Sequence, residues 1–270
     1  MINIVADIGI NHNGDMAIVK ILIDVCSAAG VNYIKFQKRN PDKCVPEKQK
    51  QIHRDTPWGE IPYIEYRHKL EFNLKEYKEI DTYCKLKNIK WFASVWDLDS
   101  AKFMLDFVDI IKIPSAKIID FELIRYCRSN FKTLIISTGM STEEEIEKCI
   151  FECDPDIIMH CNSSYPADIK ELNLNYINWL KKKYFRKEIG YSGHEFGLVT
   201  TFATASMGVS WIERHITLDR MLWGSDQLSS IEPSGLFKLV RGIRDIEQAL
   251  GKSFKREILN SELQKRKELR

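Results

Sequence analysis

The stretch that decides the fold runs from residue 209 to residue 226 and is VSWIERHITLDRMLWGSD. It begins with the apolar residues Val209, Trp211 and Ile212, as a buried strand does. It then turns to polar and charged side chains, among them Glu213 and His215. In a parallel α/β barrel, reactive groups lie where a strand ends and its loop begins. The pattern therefore predicts a buried strand that carries chemistry at its carboxyl end.

A second stretch, EIGYSGH at residues 188–194, has the same form and also ends in a histidine. His194 thus follows one predicted strand as His215 follows the next. Two imidazoles at successive strand ends could converge on one metal ion. We interpret His194 and His215 as candidate metal ligands.

Short apolar segments alternate with amphipathic ones along the whole chain. The predicted strands are Asn3–Ile8, Tyr33–Phe36, Lys90–Val95, Asp109–Ile113, Thr133–Ser137, Asp156–His160, Glu188–Tyr191 and Val209–Ile212. Predicted helices separate them, one of which should begin with a capping box formed by Ser141 and Glu144. This alternation predicts an α/β fold, a (β/α)8 TIM barrel, over residues 1–250. A doubly wound open sheet is the alternative, but the first turn, GINHNG, lacks its glycine-rich phosphate pattern.

Composition excludes several classes of protein. The chain has 40 basic and 38 acidic side chains, so it lacks the excess of positive charge that marks nucleic-acid binding. No apolar run reaches the roughly 18 residues of a membrane span, and the N-terminus does not have the form of a secretion signal. The cysteines are odd in number and scattered in spacing, which favours reduced thiols in a cytoplasmic protein.

Two segments fall outside the alternation. Residues 38–72 are too long for a simple connection, and their Trp58, Tyr63 and Tyr66 predict an ordered loop over the barrel mouth. Residues 251–270 are strongly charged and are expected to form a surface tail.

Two lysines, Lys35 and Lys112, lie inside apolar strand candidates. A buried lysine is costly unless it is paired, so structural ion pairs are one interpretation. A Schiff-base lysine is a second. Binding of a dianionic phosphate by two lysines with serines nearby is the interpretation we favour.

Several motifs, taken in order, resemble the sialic acid synthase family. They are ADIGINHNGD (6–15), KFQKR (35–39), DTPWGEIPYIEYRHKLEF (55–72), KIPSA (112–116), STGMS (137–141), HCNSSYP (160–166), IGYSGH (189–194) and ERHITLDR (213–220). The resemblance covers nearly the whole barrel. It implies condensation of phosphoenolpyruvate with an N-acylated hexosamine, N-acetylmannosamine or a modified analogue, to give a sialic-acid-like nonulosonic acid and phosphate. It also implies a divalent metal, Mn²⁺ or Mg²⁺.

The resemblance assigns roles to individual residues. His194 and His215 match the metal ligands, Lys35 and Lys112 match the phosphoenolpyruvate-binding lysines, and Asp7 matches the acid of the first motif. Asp7 or Glu213 would position the water that attacks the intermediate. The expected substrate-binding residues are Gln37, Ser115, Lys117, Ser137, Ser163, Tyr165, Ser192 and Asp226.

The chain departs from the family pattern in two places. Lys117 stands where many members have a glutamate that holds the sugar, which puts the identity of the sugar in question. Residues 251–270 resemble the linker before a C-terminal antifreeze-like domain, which the chain itself does not continue into. Closure of the mouth would then come from the 38–72 segment with Arg54 or from a separate antifreeze-like polypeptide. A homodimer is a further expected form of the protein. A Schiff-base keto-acid aldolase and a non-catalytic sugar-binding or partner-binding barrel remain alternatives.

Overall fold

The computed structural model of the chain describes residues 1–251 and 255–270. Its strands are β1 (Asn3–Gly9), β2 (Tyr33–Lys38), β3 (His53–Thr56), β4 (Gly59–Pro62), β5 (Lys90–Val95), β6 (Ile110–Ile113), β7 (Thr133–Ser137), β8 (Ile157–Cys161), β9 (Glu188–Gly193) and β10 (Trp211–His215). Its helices are α1 (Met16–Ala29), α2 (Pro41–Cys44), α3 (Glu47–Lys50), α4 (Tyr63–Leu70), α5 (Leu74–Leu86), α6 (Leu98–Met104), α7 (Phe121–Asn130), α8 (Glu143–Cys153), α9 (Asn175–Lys183), α10 (Val199–Ser206), α11 (Pro233–Leu250) and α12 (Asn260–Leu269).

Within residues 1–251, eight parallel strands close a barrel in the order β1-β10-β9-β8-β7-β6-β5-β2. Strand β1 pairs with β2 on one side and with β10 on the other, which closes the sheet and excludes the open-sheet alternative. The predicted TIM barrel is therefore confirmed. Among the described residues, no helix has the length and apolarity needed to cross a membrane.

Along the inward face of the barrel, the side chains change from apolar to polar between the two ends of the strands. At the amino-terminal end of the barrel, Val5, Phe92, Ile135 and Trp211 belong to a buried apolar cluster. Because side chains alternate with a period of two residues, the positions two residues further along point the same way. Those positions hold Asp7, Ser94, Ser137 and Glu213, and all four side chains line the central cavity. The barrel thus has an apolar floor and a polar carboxyl-terminal end.

A glycine makes room for this floor. A Cβ added to Gly190 would lie 2.2 Å from Sδ of Met159 and 2.9 Å from Cβ of Trp211. Any larger residue at position 190 would therefore push apart two members of the apolar cluster. The outer face of the strands packs on the helices through a much larger apolar core.

The structure corrects two details of the sequence interpretation. The capping box of α8 is formed by Thr142 and Glu145, so the predicted pair of Ser141 and Glu144 is wrong by one residue. The hydroxyl of Ser141 instead donates to the carbonyl oxygen of Gly139 at 3.1 Å. The last strand was predicted to end at Ile212, but β10 continues to His215. The prediction followed apolarity, whereas this strand becomes polar while it is still paired.

The 38–72 segment is an ordered insertion, as predicted, but it has secondary structure of its own. It contains α2, α3, the β3–β4 hairpin and α4. Tyr66 and Leu70 of α4 form an apolar cluster with Ile10 from the loop after β1, and Trp223 from the loop after β10 packs against it. The insertion is thereby fixed to two loops at the carboxyl-terminal end of the barrel.

The predicted tail at residues 251–270 is described in part. Residues 252–254 lie outside the described residues. Asn260–Leu269 forms α12, whose residues are almost all exposed.

Candidate functional site

Most of the predicted site residues meet in one cavity of about 130 Å³ at the carboxyl-terminal end of the barrel. The predicted residues that line it are Asp7, Lys35, Gln37, Lys112, Ser115, Ser137, Ser163, Tyr165, Ser192, His194, Glu213 and His215. They come from every strand of the barrel except β5, or from the loops that follow those strands. Asp226 lies beside them, with Oδ2 3.9 Å from Nδ1 of His215.

Two lysines and two carboxylates form a buried charge network at the base of the cavity. Nζ of Lys35 lies 2.6 Å from Oδ2 of Asp7, and Nζ of Lys112 lies 2.8 Å from Oε1 of Glu213. A longer contact of 3.6 Å joins Lys35 to Glu213. Burial opposes the charged form of Lys35, but Asp7 and Glu213 outweigh it and raise the pKa of the lysine. The structural ion pairs considered from the sequence are therefore present.

The same balance holds Glu213 ionised. Burial alone would raise the pKa of this carboxyl, but Lys112 and Lys35 lower it to about 2. Oγ of Ser192 adds a hydrogen bond to Oε1 at 3.1 Å. Lys35 and Glu213 are thus both held in their charged forms.

The network leaves hydrogen-bond donors for a ligand. Lys35 donates to Asp7 and, at 3.0 Å, to Oγ of Ser94, and Lys112 donates to Glu213. An ammonium group has three donors, so one remains on Lys35 and two on Lys112. Oγ of Ser137 is buried without a hydrogen-bond partner among the described residues. Donors of this kind suit the oxygens of a phosphate or a carboxylate.

The two histidines lie side by side above this network, with ring centroids 5.4 Å apart. Nδ1 of His194 lies 2.5 Å from the carbonyl oxygen of Asn162, so this nitrogen carries the proton and Nε2 is left as a ligand atom. Burial and the neighbouring His215 lower the pKa of His194 to about 3, which keeps the ring neutral. A neutral imidazole oriented by a carbonyl is the usual form of a metal ligand.

His215 is oriented by carboxylates on both sides. Its Nε2 lies 3.3 Å from Oδ2 of Asp7, and its Nδ1 is buried without a hydrogen-bond partner among the described residues. Oδ1 of Asp7 is also unpartnered in that part of the chain. These unused acceptors beside two imidazoles fit a divalent cation. However, no group of three or more His, Cys, Asp or Glu side chains in the described residues is arranged to hold a metal. The protein therefore offers two imidazoles, and other ligands would have to come from water or substrate.

Tyr165, Ser115 and Ser163, which were predicted to bind substrate, line the same cavity. The ring of Tyr165 stacks on His194 with centroids 4.2 Å apart. Oγ of Ser115 accepts a hydrogen bond from the backbone N–H of Gly139 at 3.1 Å. A Cβ on Gly139 would lie 2.1 Å from Oγ of Ser163, so only glycine allows these serines to approach.

Lys117 is the exception among the predicted substrate-binding residues. It lies outside the set of described residues that line the cavity, and its Nζ is 3.1 Å from Oδ2 of Asp120. The side chain is about one quarter exposed, at 26%. Its direct contact with a sugar stays a prediction, because the side chain does not line the cavity.

Other residues in the cavity were not selected from the sequence. Ser94 holds Lys35, and Trp96, Pro114, Ala116, Met140 and Cys161 complete the lining. The alternation rule identifies Ser94, which lies two residues after the buried Phe92 on the same face. His12 and His160 lie elsewhere: His12 stacks on Phe72, and Nε2 of His160 contacts the carbonyl oxygen of Leu172.

Comparison with known proteins agrees with this geometry. The model of the NeuB family matches residues 22–255. The chain is 32% identical to the N,N'-diacetyllegionaminic acid synthase of Campylobacter jejuni, over 94% of this chain and 78% of that protein. It is 34% identical to the N-acetylneuraminate-9-phosphate synthase of Drosophila melanogaster, over 90% and 68% of the two chains. A crystal structure of N-acetylneuraminic acid synthetase from Leptospira borgpetersenii, in complex with citrate, superimposes with a TM-score of 0.87 at 31% identity, covering 99% of this chain and 90% of that one. The chain therefore belongs to the NeuB family, the sialic acid and nonulosonic acid synthases.

Proposed function

We propose that this barrel condenses phosphoenolpyruvate with an N-acylated hexosamine, N-acetylmannosamine or a modified analogue, to give a nine-carbon 2-keto acid and phosphate. The observation that carries the proposal is the meeting of Lys35 and Lys112, with unused donors, beneath two neighbouring imidazoles in one cavity. An anion site and an electrophile site thus lie together, as a condensation requires.

The lysines would hold phosphoenolpyruvate. Lys35 and Lys112 retain donors beyond their carboxylate partners, and the unpartnered Oγ of Ser137 lies on the same wall. These groups can bind the phosphate and the carboxylate so that the enol carbon faces the mouth of the cavity. Hydrogen bonds to Asp7, Ser94 and Glu213 hold the two ammonium groups in place before the anion enters.

The imidazoles would hold the divalent metal that members of this family use. Nε2 of His194 and the unpartnered Nδ1 of His215 are the nitrogens available for it. Such an ion supplies Lewis acidity toward a carbonyl oxygen, here the aldehyde oxygen of the open-chain sugar. Tyr165, stacked on His194, would exclude water from that side.

A carboxylate would accept the proton of the water that adds to the intermediate. Attack of the enol carbon on the aldehyde forms the new C–C bond and leaves a cation at C2 of the former phosphoenolpyruvate. One water adds there and gives up a proton, for which Oδ1 of Asp7 is an unpartnered acceptor. The tetrahedral intermediate then breaks its C2–O bond and expels phosphate. The sum is phosphoenolpyruvate, aldehyde and water giving keto acid and phosphate, with no oxidation or reduction.

The identity of the acceptor sugar is less closely defined than that of phosphoenolpyruvate. The names of the three relatives given above specify three different products, and all that these names share is an acylated amino sugar acid. We therefore infer an N-acylated hexosamine as the substrate class.

A Schiff-base aldolase that uses Lys35, one of the two candidate lysines, is disfavoured by the charge on that residue. An amine must lose its proton before it attacks a keto acid, and enzymes of this type lower the pKa of the lysine. Here Asp7 and Glu213 raise the pKa of Lys35 instead. Trapping with borohydride in the presence of a keto acid tests this directly, and no covalent adduct is expected.

The proposed function is tested by measuring phosphate release from phosphoenolpyruvate with a panel of N-acylated hexosamines in the presence of Mn²⁺. We expect release that depends on both substrates, with a nine-carbon keto acid in equal amount. A chain that binds sugars but releases no phosphate with any of them would be a non-catalytic binding barrel.

A further inference from the structure

Two buried arginines at the barrel mouth have no role in the chemistry described above. Arg39 follows β2, and Arg67 lies on α4 of the insertion; they are 8% and 4% exposed. Nη2 of Arg67 is buried and has no hydrogen-bond partner among the described residues, and the same holds for Nε of Arg39. A buried guanidinium group normally has its donors satisfied, so these two require an explanation.

The two guanidinium groups also lie within electrostatic reach of each other. Burial, and next the positive charge of Arg67, lower the pKa of Arg39 to about 10, while Glu71 opposes them. Like charges at short range in a buried place are unfavourable unless an anion lies between or beside them. Two neighbouring cations with unused donors are the usual form of an anion receptor.

The carboxylates nearby do not satisfy this pair. Oε1 of Glu71 lies 3.5 Å from Nε of Arg39, but Oε2 of the same residue accepts a hydrogen bond from Lys38 at 3.2 Å. Asp226 is within electrostatic reach of both arginines. The local groups are thus three cations, at positions 38, 39 and 67, and two carboxylates, at positions 71 and 226. One positive charge is left over.

The pair adjoins the central cavity. Nη2 of Arg39 donates to Oε1 of Gln37, and its guanidinium carbon lies 4.1 Å from the ring centroid of Trp96. Both Gln37 and Trp96 line that cavity. On the other side, Asp226 links the arginines to His215, whose Nδ1 is 3.9 Å from Oδ2. The guanidinium carbon of Arg67 lies 5.9 Å from the ring centroid of Tyr63 and 5.8 Å from that of Tyr66.

We propose that Arg39 and Arg67 form a second anion-binding subsite, which takes a phosphate or carboxylate substituent of the acceptor sugar. The proposal deepens the proposed function and rests on it for the identity of the bound molecule. Asp7 connects the lysine site to His215, and Asp226 connects His215 to the arginine site. An acceptor with its aldehyde at the histidines would therefore direct its far end toward the arginines.

The arginine predicted from the sequence does not occupy this place. Arg54 lies on the exposed β3–β4 hairpin, where its guanidinium carbon is 4.6 Å from the ring centroid of Tyr63. It belongs to the same insertion and carries the same charge as Arg67, but it is exposed. Arg54 is therefore a matched control for the long-range effect of removing one positive charge.

The test measures equilibrium binding by titration calorimetry, without phosphoenolpyruvate, for three probes. They are N-acetylmannosamine, its 6-phosphate and the corresponding 6-carboxylate. We expect the wild-type chain to bind at least one anionic probe about 10- to 100-fold more tightly than the neutral sugar, as two charge-assisted contacts would provide. We expect Arg67→Gln to remove most of this preference and Arg54→Gln to retain it. The anionic probe that gains more identifies the substituent.

Equal binding of the neutral and anionic probes by the wild type would overturn the subsite, and so would an anionic preference that survives in Arg67→Gln. Thermal unfolding establishes that each variant is folded. If Arg67→Gln does not fold, Arg67→Lys takes its place. It keeps the charge but loses the planar fork, so the preference should fall several-fold, and an unchanged preference would contradict the proposal.

The two proposals fail in different ways. Phosphate release with N-acetylmannosamine but without any anionic preference would leave the synthase reaction in place and remove the subsite. An anionic preference that depends on Arg67, in a chain that releases no phosphate with any sugar, would keep the subsite and remove the synthase reaction.

Discussion

The ion pair of Lys112 and Glu213 allows a quantitative test of the charge network. Lys112→Met keeps most of the side-chain volume but leaves Glu213 with Lys35 at 3.6 Å and the hydroxyl of Ser192 at 3.1 Å. Both partners are buried, at 4% and 3% side-chain exposure. Removing one member of a buried pair costs about 3–5 kcal/mol. Because Lys35 remains nearby, we expect a loss of about 3 kcal/mol in the free energy of unfolding, at the lower end of that range.

The pH dependence of this loss has a definite sign. The pKa of Glu213 is lowered from 4.5 to about 2, which corresponds to roughly 3 kcal/mol. A lowered carboxyl pKa contributes stability above the unfolded value, and the contribution is lost as pH falls from about 4.5 to about 2. The difference between the wild type and Lys112→Met should therefore be full at pH 7 and should shrink through that window.

Urea unfolding at several pH values measures both effects. The matched control is Lys132→Met, which removes an exposed pair with Asp109 at 2.9 Å and should change stability by less than about 0.5 kcal/mol. In Lys112→Met/Glu213→Gln the buried carboxylate is gone, so the double variant should lose less than the sum of the single variants. A Lys112→Met protein as stable as the wild type, or a strictly additive double variant, would refute the reasoning.

Three further predictions concern function. Chelator treatment should abolish phosphate release and added Mn²⁺ should restore it, whereas full activity after chelation would contradict the metal assignment. By calorimetry, His215→Ala should bind Mn²⁺ more than about 100-fold more weakly than the wild type. Replacing the exposed hairpin at residues 53–62 with a short glycine-serine linker should open the mouth of the cavity to water. We expect the KM for the sugar to rise about 10-fold and the KM for phosphoenolpyruvate to stay nearly unchanged. Unaltered sugar kinetics would mean that the insertion does not close the mouth. Lys117→Glu restores the acid of the family pattern and should shift the kcat/KM ratio toward N-acetylmannosamine over anionic acceptors, whereas an unchanged ratio would place Lys117 outside recognition.

The fold and the central cavity were predictable because the barrel repeats one simple rule. Along the inward face of the barrel, side chains are apolar near the strand starts and polar further along. Residues such as Lys35, Ser137 and His215 could therefore be selected one at a time. Their partners could not. Asp7 and Lys35 are 28 positions apart, and Lys112 and Glu213 are 101 apart. Only closure of the sheet brings them together.

In the insertion, the sequence pattern does not distinguish exposed arginines from buried ones. Arg54 and Arg67 both lie among aromatic residues in a polar segment, and nothing in the sequence separates them. In the structure one lies on an exposed hairpin and the other faces inward on α4. The difference arises from packing of α4 against the loops after β1 and β10, which is a tertiary contact. Candidate binding residues on long insertions therefore depend on the fold more than those at strand ends do.

The most direct test of the account follows the bridging oxygen of phosphoenolpyruvate. The substrate carries ¹⁸O at the oxygen that bridges C2 and phosphorus, and it is incubated with Mn²⁺ and an accepted N-acylated hexosamine. The masses of both products are then measured by mass spectrometry. Addition of water at C2 followed by C–O cleavage predicts that the label leaves with phosphate, while the keto oxygen comes from solvent. Label retained in the keto acid, or phosphate released without sugar, would contradict the proposed condensation.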